Sequence, residues 1–367
     1  MKIGVLTSSR ADFGIYLPLL KALKEDAFFQ LELIVFGTHL SRYHGFTIQH
    51  ILDEGFEPTH QIHQMLLTDD ANAISTSYAL TALKFADFWK QYRFDLVFCL
   101  GDRYEMAAAV AAGIPFNVRF AHIHGGETTL GAIDNIYRHS ITLASKFHFV
   151  AAEGFKIRVK EITGTDDHCI VTGSLSLVNL QQMELLSIDE FYNKWNIDLT
   201  LPSILITLHP ETVAYDQNEQ YASESLKAFK TLSNDFQLIV TLPNADTSGT
   251  IYRKMFQILN NDHPEMVFLI ENFGTQSYFS CMKHVGLIVG NSSSGIIEAA
   301  SFGKYVINIG DRQKGRLNSD NTIQTSFDAA IIIRKVKELF GKDYMGSNIY
   351  FEEQPVQKII QFIREQL

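Results

Sequence analysis

The first half of the chain alternates short apolar runs with segments in which apolar residues recur at helical spacing. The apolar runs have the length of strands, and residues 17–24 are typical of the helical segments. The runs lie at residues 2–8, 31–37, 96–101, 118–123 and 148–151. Strands that alternate with helices predict βαβ units and therefore a parallel sheet.

The alternation lapses over the polar segment 175–202 and then resumes. The later runs lie at residues 204–208, 238–242, 267–270, 285–289 and 305–309. We therefore predict an α/β protein with two Rossmann-like doubly wound parallel-sheet domains, 1–174 and 175–353, and a final helix at 354–367 that packs back onto the first domain. Doubly wound sheets bind ligands beyond the carboxyl ends of their strands, so we expect a ligand cleft between the domains.

Composition narrows the class of protein. The chain has 367 residues, enough for two hydrophobic cores, and its formal net charge of −10 disfavours nucleic acid as a partner. No apolar stretch has the length of a membrane span and the first residues lack a signal-peptide pattern, so we expect a cytoplasmic protein with no membrane partner. The three cysteines are widely spaced in apolar surroundings, which favours reduced core thiols over a disulfide framework.

Two segments in the second half have the composition of an anion site. The segment GNSSSG from Gly290 to Gly295 lies between an apolar run and a helix-forming segment, so backbone N–H groups and serine hydroxyls would face a ligand; an ordinary serine-capped turn fits equally well. Glu298 is expected on the first turn of that helix, where it would bind ribose hydroxyls or complement the helix dipole. The segment from Gly310 to Arg316 carries three cations, which points to an anionic ligand in so acidic a chain.

A further segment, from Ser8 to Gly14, follows the first apolar run, where nucleotide-binding folds approach a phosphate. It is not GxGxxG, which disfavours a nicotinamide or flavin dinucleotide. Arg10 and Arg312, one from each domain, would clamp a diphosphate, because guanidinium groups bind phosphate oxygens bidentately. The alternative is that both are solvated surface arginines.

Carboxylates and histidines follow two other apolar runs of the first half. Asp102 comes directly after one of them and would act in catalysis, in binding or as a helix N-cap. Glu127 lies in the segment HIHGGETT from His122, and Asp134 precedes the next helix, so the three carboxylates are expected to converge. His122 and His124 would alternate on a strand and face opposite sides, so no metal site is predicted.

His209 ends an apolar run in the second half, and Pro210 fixes the turn so that the imidazole would face the cleft. A histidine near carboxylates serves as a general acid or base near neutral pH, or as a cation beside a diphosphate. Asn244 occupies the equivalent position after the next run.

Six motifs, in this order along nearly the whole chain, resemble those of the hydrolysing UDP-N-acetylglucosamine 2-epimerases of bacterial sialic acid synthesis. That family is similar in fold to the non-hydrolysing 2-epimerases and to GT-B glycosyltransferases, so the resemblance implies a GT-B-like pair of domains. The motifs are GDRYE from Gly101, HIHGGE from His122, RHSIT from Arg138, HPET from His209, GNSSSG from Gly290 and INIGDRQKGR from Ile307.

The resemblance implies a role for individual residues, without a redox cofactor or a metal. UDP and the sugar would be held by Arg10, Ala11, Gly14, Arg103, Asn244, Phe273, Tyr278, Ser292, Ser293, Glu298 and Arg312, with the uracil at the loop from Phe273 to Tyr278. The catalytic residues would be Asp102, His124, Glu127, Asp134 and His209. Many relatives carry glutamate at the position of His124, so Glu127 would carry more of the acid–base work here. A homodimer or a dimer of dimers, formed through the first domain, is also implied.

The implied reaction fits these residue types. A base removes the proton from C2 of the sugar while UDP leaves C1, giving 2-acetamidoglucal, and arginines neutralise the departing diphosphate. Water then adds with inversion at C2 and releases N-acetylmannosamine for nonulosonic acid synthesis. The alternatives are the same reaction on UDP-2,4-diacetamido-2,4,6-trideoxyglucose, glycosyl transfer by a GT-B enzyme, and non-catalytic sensing of a nucleotide sugar.

Overall fold

The computed structural model describes residues 1–41, 46–64, 71–130, 133–211, 215–243 and 249–367. The chain divides into two compact units, and unit 1 comprises the described residues of 1–128, 133–181 and 350–367. Unit 2 comprises those of 129–130 and 182–349. The last helix of the chain therefore belongs to unit 1.

Unit 1 is built on a parallel sheet. Its strands are β1 (Lys2–Thr7), β2 (Gln30–Phe36), β3 (His60–Ile62), β4 (Leu96–Leu100), β5 (Phe120–Ile123), β6 (Phe147–Val150) and β7 (Cys169–Val171). In the described part of the chain they form one seven-stranded sheet in the order β3-β2-β1-β4-β5-β6-β7, with parallel neighbours throughout. Because β4 lies beside β5, the loops that follow these two strands are neighbours at one edge of the sheet.

Helices cover both faces of this sheet. They are α1 (Arg10–Glu25), α2 (Ile48–Asp53), α3 (Ala71–Gln91), α4 (Tyr104–Gly113), α5 (Asp134–Ala144), α6 (Glu153–Thr163), α7 (Leu175–Gln182), the carboxyl-terminal helix Pro355–Gln366, and short 3-10 helices at Gly37–Leu40 and Ile114–Phe116. Alternate side chains of β4 enter two different cores, as the period of a strand requires. Phe98 packs with α1 and the carboxyl-terminal helix, whereas Val97 packs with α3 and α4.

Unit 2 repeats the architecture. Its strands are β8 (Ser203–Thr207), β9 (Gln237–Thr241), β10 (Val267–Ile270), β11 (Leu287–Gly290), β12 (Val306–Ile309) and β13 (Thr322–Thr325). Its helices are α8 (Ile188–Trp195), α9 (Asn218–Leu232), α10 (Gly249–Asp262), α11 (Gly274–His284), α12 (Ser293–Ile297), α13 (Ala329–Leu339) and 3-10 helices at Tyr215–Gln217 and Ala299–Phe302. Across the described residues the parallel sheet has six strands in the order β10-β9-β8-β11-β12-β13. This order makes neighbours of the loops after β8, β11 and β12.

The predicted α/β class with two parallel sheets is confirmed, but three strands were missed. These are β3, β7 and β13, and each lies at an outer edge of its sheet. Edge strands are short and only partly buried, so β3 (His-Gln-Ile) and β13 (Thr-Ile-Gln-Thr) lack a continuous apolar run.

The polar segment 175–202 is also more structured than its composition indicated. It contains α7 and α8, and α8 begins with a capping box in which the hydroxyl of Ser187 and the carboxylate of Glu190 bond each other's backbone N–H groups. Phe191 anchors α8 in the core of unit 2. Among the helices in the described part of the chain, none combines the length and the apolar character of a membrane span.

Candidate functional site

A buried arginine on α5 joins the loops after β4 and β5 in unit 1. The guanidinium of Arg138 is paired with the carboxylate of Asp102, donates from Nη1 to the carbonyl oxygen of His124 at 2.7 Å, and lies 3.8 Å from Oε2 of Glu127. Arg138 is 4% exposed, and although burial opposes its charge, Asp102 and Glu127 hold its pKa above the ordinary value. Arg138 therefore brings two of the predicted carboxylates into one network.

His124 and Glu127 form a buried pair within this network. Nδ1 of His124 lies 2.6 Å from Oε1 of Glu127, and the two residues are 7% and 2% exposed. A carboxylate accepts hydrogen bonds, so Nδ1 carries a proton, and in the neutral form of this ring the lone pair would be on Nε2. Nε2 is buried and finds no hydrogen-bond partner among the described residues. The pair thus has the arrangement of an oriented general base.

The expectation that His122 and His124 alternate on one strand was wrong. β5 ends at Ile123, and His124 adopts a left-handed backbone with φ of 62°. The tight turn that begins there directs the side chain toward Glu127. His122 remains on the strand, where Nε2 lies 2.9 Å from the carbonyl oxygen of Gly101 and Nδ1 lies 3.1 Å from the hydroxyl of Thr142. Both ring nitrogens of His122 are therefore occupied.

Asp134 and Arg103 border the network. Asp134 begins α5, and burial, followed by the negative charge of Asp102, raises its pKa. Arg103 precedes α4 and pairs through Nε with Oε1 of Glu105 at 2.6 Å, and this partner raises its pKa. The structure thus brings Asp102, Glu127 and His124 together, and Asp134 lies close enough for the charge of Asp102 to raise its pKa. Among the described residues, no three His, Cys, Asp or Glu side chains cluster as metal ligands would.

The start of α1 exposes the residues predicted to meet a phosphate. Ser9 is the N-cap, and the carboxylate of Asp12 accepts from the backbone N–H of Ser8 at 3.0 Å and from its hydroxyl at 2.6 Å. Arg10 and Ala11 are exposed on the first turn, and the half-buried Gly14 has open space where a Cβ would lie. Asp12 thus holds the turn, which leaves the Arg10 side chain available to a ligand.

In unit 2, Asn291 connects the loops after β8, β11 and β12. Its side chain accepts from the backbone N–H of His209 at 2.8 Å and donates to the carbonyl oxygen of His209 at 2.9 Å. Its own carbonyl oxygen accepts from Nε2 of Gln313 at 3.0 Å and from Nη1 of Arg312 at 3.3 Å. His209 and Arg312, both predicted as site residues, are therefore fixed by one intervening residue.

His209 is held in its neutral form. Burial, followed by the positive charge of Arg312, lowers the pKa of the imidazole to about 3. Nδ1 is buried and finds no partner among the described residues. At neutral pH the His209 imidazole is therefore a neutral hydrogen-bonding group, and the alternative role as a cation beside a bound diphosphate stays a prediction.

The predicted position of Glu298 was also wrong. Ser292 is the N-cap and its hydroxyl accepts from the backbone N–H of Ser294 at 3.3 Å, so the short helix α12 already begins at Ser293. Glu298 then falls at the C-cap and is 5% exposed. Three small residues at the turn let the helix start earlier than the apolar pattern indicated, and a dipole-complementing role at the first turn is excluded.

The loop predicted from Phe273 to Tyr278 is largely helical. α11 begins at Gly274, and the ring of Phe273 is buried against Phe191 and Trp195, with centroids 5.6 and 4.7 Å away. Phe273 is 6% exposed, and its proposed contact with uracil stays a prediction. Tyr278 lies on α11, and its hydroxyl is 3.4 Å from that of Thr207 at the end of β8. The predicted residue Asn244 lies outside the described residues.

Three residues of the sequence motifs had no predicted role: Arg138, Glu211 and Asn291. Each has a partner distant in sequence, such as Asp102 for Arg138 and Asp311 for Glu211. The sequence could show only that each is a polar residue within a motif. It could not show their hydrogen-bond partners, because those depend on which strands are neighbours in the sheet.

The profile of the UDP-N-acetylglucosamine 2-epimerase family matches residues 21–364. The chain belongs to this family. Among relatives of this epimerase, the GDP/UDP-N,N'-diacetylbacillosamine 2-epimerase (hydrolyzing) of Campylobacter jejuni is 34% identical, over 89% of this chain and 85% of the relative. The UDP-N,N'-diacetylbacillosamine 2-epimerase (hydrolyzing) of Legionella pneumophila is 32% identical, over 99% of this chain and 95% of the relative.

A solved structure supports the same fold. The UDP-GlcNAc 2-epimerase of Neisseria meningitidis, solved bound to UDP-GlcNAc, superposes with a TM-score of 0.83 at 18% identity, and each chain is covered completely. The fold of this epimerase is therefore the GT-B-like fold of two parallel-sheet α/β domains.

Proposed function

We propose that this epimerase is a hydrolysing UDP-N-acetylglucosamine 2-epimerase, which converts UDP-GlcNAc and water into N-acetylmannosamine and UDP. The observation that carries the proposal is the network in unit 1 that joins the half-buried Asp102 to three buried residues, Arg138, Glu127 and His124. The reaction needs one group to remove a proton from C2 and others to return one and to activate water, and this network supplies several acid–base groups within a few ångströms.

The first step would be an elimination. His124, oriented by Glu127, or one of the carboxylates takes the proton from C2 as the C1–O bond to UDP breaks, which leaves 2-acetamidoglucal. The raised pKa of Asp134 suits a group that carries a proton at some stage of the cycle. In the second step a proton returns to the opposite face of C2 while hydroxide from water adds to C1, and N-acetylmannosamine is released.

The departing UDP needs positive charge. The segment after β12 contains Arg312, Lys314 and Arg316, and Arg10 lies exposed at the start of α1. We propose that Arg10, Arg103 and Arg312 hold the diphosphate, with Ser292 and Ser293 as hydroxyl donors, and that Glu298 binds the ribose. Cations in a site that excludes water stabilise a developing diphosphate more strongly than cations in bulk water do.

The alternative substrate is UDP-N,N'-diacetylbacillosamine, whose sugar is the 2,4-diacetamido-2,4,6-trideoxy sugar. The names of the two bacterial relatives at 34% and 32% identity favour it. The family description favours UDP-GlcNAc. N-acetylglucosamine has a 6-hydroxyl that the trideoxy sugar lacks, and the trideoxy sugar has a 4-acetamido group instead of a 4-hydroxyl. A polar group of the sugar pocket that one substrate leaves without a hydrogen bond would lower kcat/KM for that substrate strongly.

Proton NMR in heavy water tests both substrates. The purified protein is incubated with each UDP sugar, and the expected products are UDP and the free manno-configured sugar carrying deuterium at C2. Asp102→Asn protein, purified in the same way, controls for contaminating activity. Release of the gluco-configured sugar, retention of the C2 proton, or no turnover of either substrate would contradict the proposal.

We further propose that the protein is cytoplasmic and forms a homodimer or a dimer of dimers. Light scattering on the purified protein would test the number of subunits.

A further inference from the structure

A buried carboxylate holds the backbone of the basic segment Gly310–Arg316, called here the basic loop. Oε1 of Glu211 accepts from the backbone N–H of Asp311 at 2.8 Å and from that of Arg312 at 2.9 Å. Glu211 is 3% exposed and is separated from these residues by 100 and 101 positions in sequence. One oxygen atom therefore fixes two consecutive peptide groups of the loop.

Glu211 is itself held rigidly. Its backbone N–H donates to Oδ1 of Asn218 at 3.0 Å, and its carbonyl oxygen accepts from Nδ2 of the same amide at 2.9 Å. Asn218 is fully buried at the start of α9, and the hydroxyl of Tyr252 lies 3.3 Å from its Oδ1. The carboxylate is thus presented to the basic loop from a framework with little freedom to move.

The basic loop is shaped to approach this carboxylate. Gly310 has φ of 79°, and a Cβ at this position would collide with Oε1 of Glu211 and with the ring of Phe327. Only glycine gives both the left-handed backbone and the close approach. A second tether comes from Asn291, whose carbonyl oxygen accepts from the side chains of Arg312 and Gln313.

We infer that Glu211 is a positioning residue that sets the direction of the Arg312 side chain for binding of the diphosphate. The inference rests on the proposed function. The N–H groups of Asp311 and Arg312 point to Glu211 and so are not available to an anion. What the basic loop can offer a phosphate at these positions is therefore the guanidinium of Arg312, whose direction depends on the backbone that Glu211 holds.

The charge of Glu211 matters because hydrogen bonds to a carboxylate are about twice as strong as neutral ones. The titratable and charged groups that face this carboxylate are Asp311, Arg312, Tyr221 and Tyr252. Burial raises the pKa of Glu211 from its ordinary value of 4.5. The charged carboxylate of Glu211 is therefore present above the raised pKa, and it becomes protonated as the pH falls through that value.

The variant Glu211→Gln tests the inference, because it keeps the size and one acceptor oxygen but removes the charge. Glu224→Gln is the matched control: the Glu224 carboxylate also accepts a backbone N–H of unit 2, that of Ala329 at 3.2 Å, but does not touch the basic loop. The dissociation constant for UDP is measured by calorimetry. We expect it to rise about tenfold in Glu211→Gln, as a charge-assisted bond becomes a neutral one, and to stay unchanged in Glu224→Gln.

A double-mutant cycle separates positioning from general destabilisation. If Glu211 acts through Arg312, then Glu211→Gln should change UDP affinity less than twofold in an Arg312→Ala background. The ratio of the two dissociation constants, Glu211→Gln over wild type, should also approach one as the pH falls, because the wild-type carboxylate then becomes neutral. The titration of UDP itself cancels in this ratio.

The outcomes are distinguishable. If wild-type protein fails to bind UDP, the proposed function fails. If wild type binds UDP and Glu211→Gln binds it equally well, or loses the same factor when Arg312 is alanine, the positioning role is refuted. Should Glu211→Gln not fold, Glu211→Asp replaces it: this variant keeps the charge but shortens the reach, and an unchanged dissociation constant would likewise overturn the inference.

Discussion

Replacement of His124 by asparagine would test the acid–base network directly. The backbone at this position is left-handed, with φ of 62°, and asparagine is among the non-glycine residues that tolerate this conformation best. The asparagine amide can also donate to Oε1 of Glu127, as Nδ1 of the imidazole does at 2.6 Å. What the variant loses is the lone pair of Nε2.

The expected effects on catalysis and on folding differ in size. Loss of a general base typically slows a reaction by about 10²- to 10⁴-fold, which corresponds to about 3 to 5 kcal/mol in the activation free energy. The free energy of unfolding should change by only about 1 to 2 kcal/mol, because the turn and the bond to Glu127 are kept and only part of a buried ring is removed. The variant should therefore remain folded while its kcat falls by about 10²- to 10⁴-fold.

The assay is the initial rate of UDP release at saturating substrate, with thermal unfolding of the same preparation. His148→Asn is the matched control, since His148 is a buried histidine on the neighbouring strand β6, paired in register with His122, and lies outside the network. Its kcat should equal that of wild type at temperatures where it is folded. If the kcat of His124→Asn stays within threefold of wild type, His124 is not the base, and the assignment passes to the carboxylates.

Three further predictions concern other parts of the site. Asp102→Asn, which removes a charge but little volume, should abolish most turnover and leave the dissociation constant for UDP within about threefold of wild type, and comparable turnover would remove Asp102 from the catalytic set. Arg312→Ala should weaken UDP binding at least tenfold by calorimetry, and an unchanged constant would exclude it from the diphosphate site. Burial and the charge of Asp102 raise the pKa of Asp134 in the folded chain above its ordinary value of 3.8. The free energy of unfolding therefore falls as the pH rises from 3.8 through the raised pKa, because Asp134 then ionises in an unfavourable environment. Asp134→Asn should therefore raise the melting temperature at pH 7 relative to wild type, with little gain at pH 3, and an equal shift at both values would contradict the charge argument.

Much of the fold could be predicted because buried parallel strands have a strong sequence signal. The runs that became β1, β4, β8 and β12 are mostly apolar, and each of their predicted bounds lies within one residue of the observed one. The edge strand β3 carried no such signal, since it has a single apolar residue and none of its three residues is fully buried.

The candidate site was predictable in its location and less so in its detail. Placing Asp102 and His209 after strands was sufficient to bring each to the carboxyl edge of its sheet. The position of Glu298 on its helix was predicted wrongly because a shift of a few residues in the start of a helix changes where each side chain lies. Such boundaries depend on capping by single side chains, here Ser292 for α12.

The sequence by itself determined the fold class and the segments that carry polar chemistry, because hydrophobic periodicity and turn residues are local properties of the chain. Only the tertiary structure decided which of these segments meet. Arg138 reaches Asp102 across 36 residues, and Glu211 reaches Asp311 across 100, because β4 lies beside β5 and β8 lies two strands from β12. The order of strands in a sheet is set by the packing of the whole unit, and no local pattern in the chain specifies it.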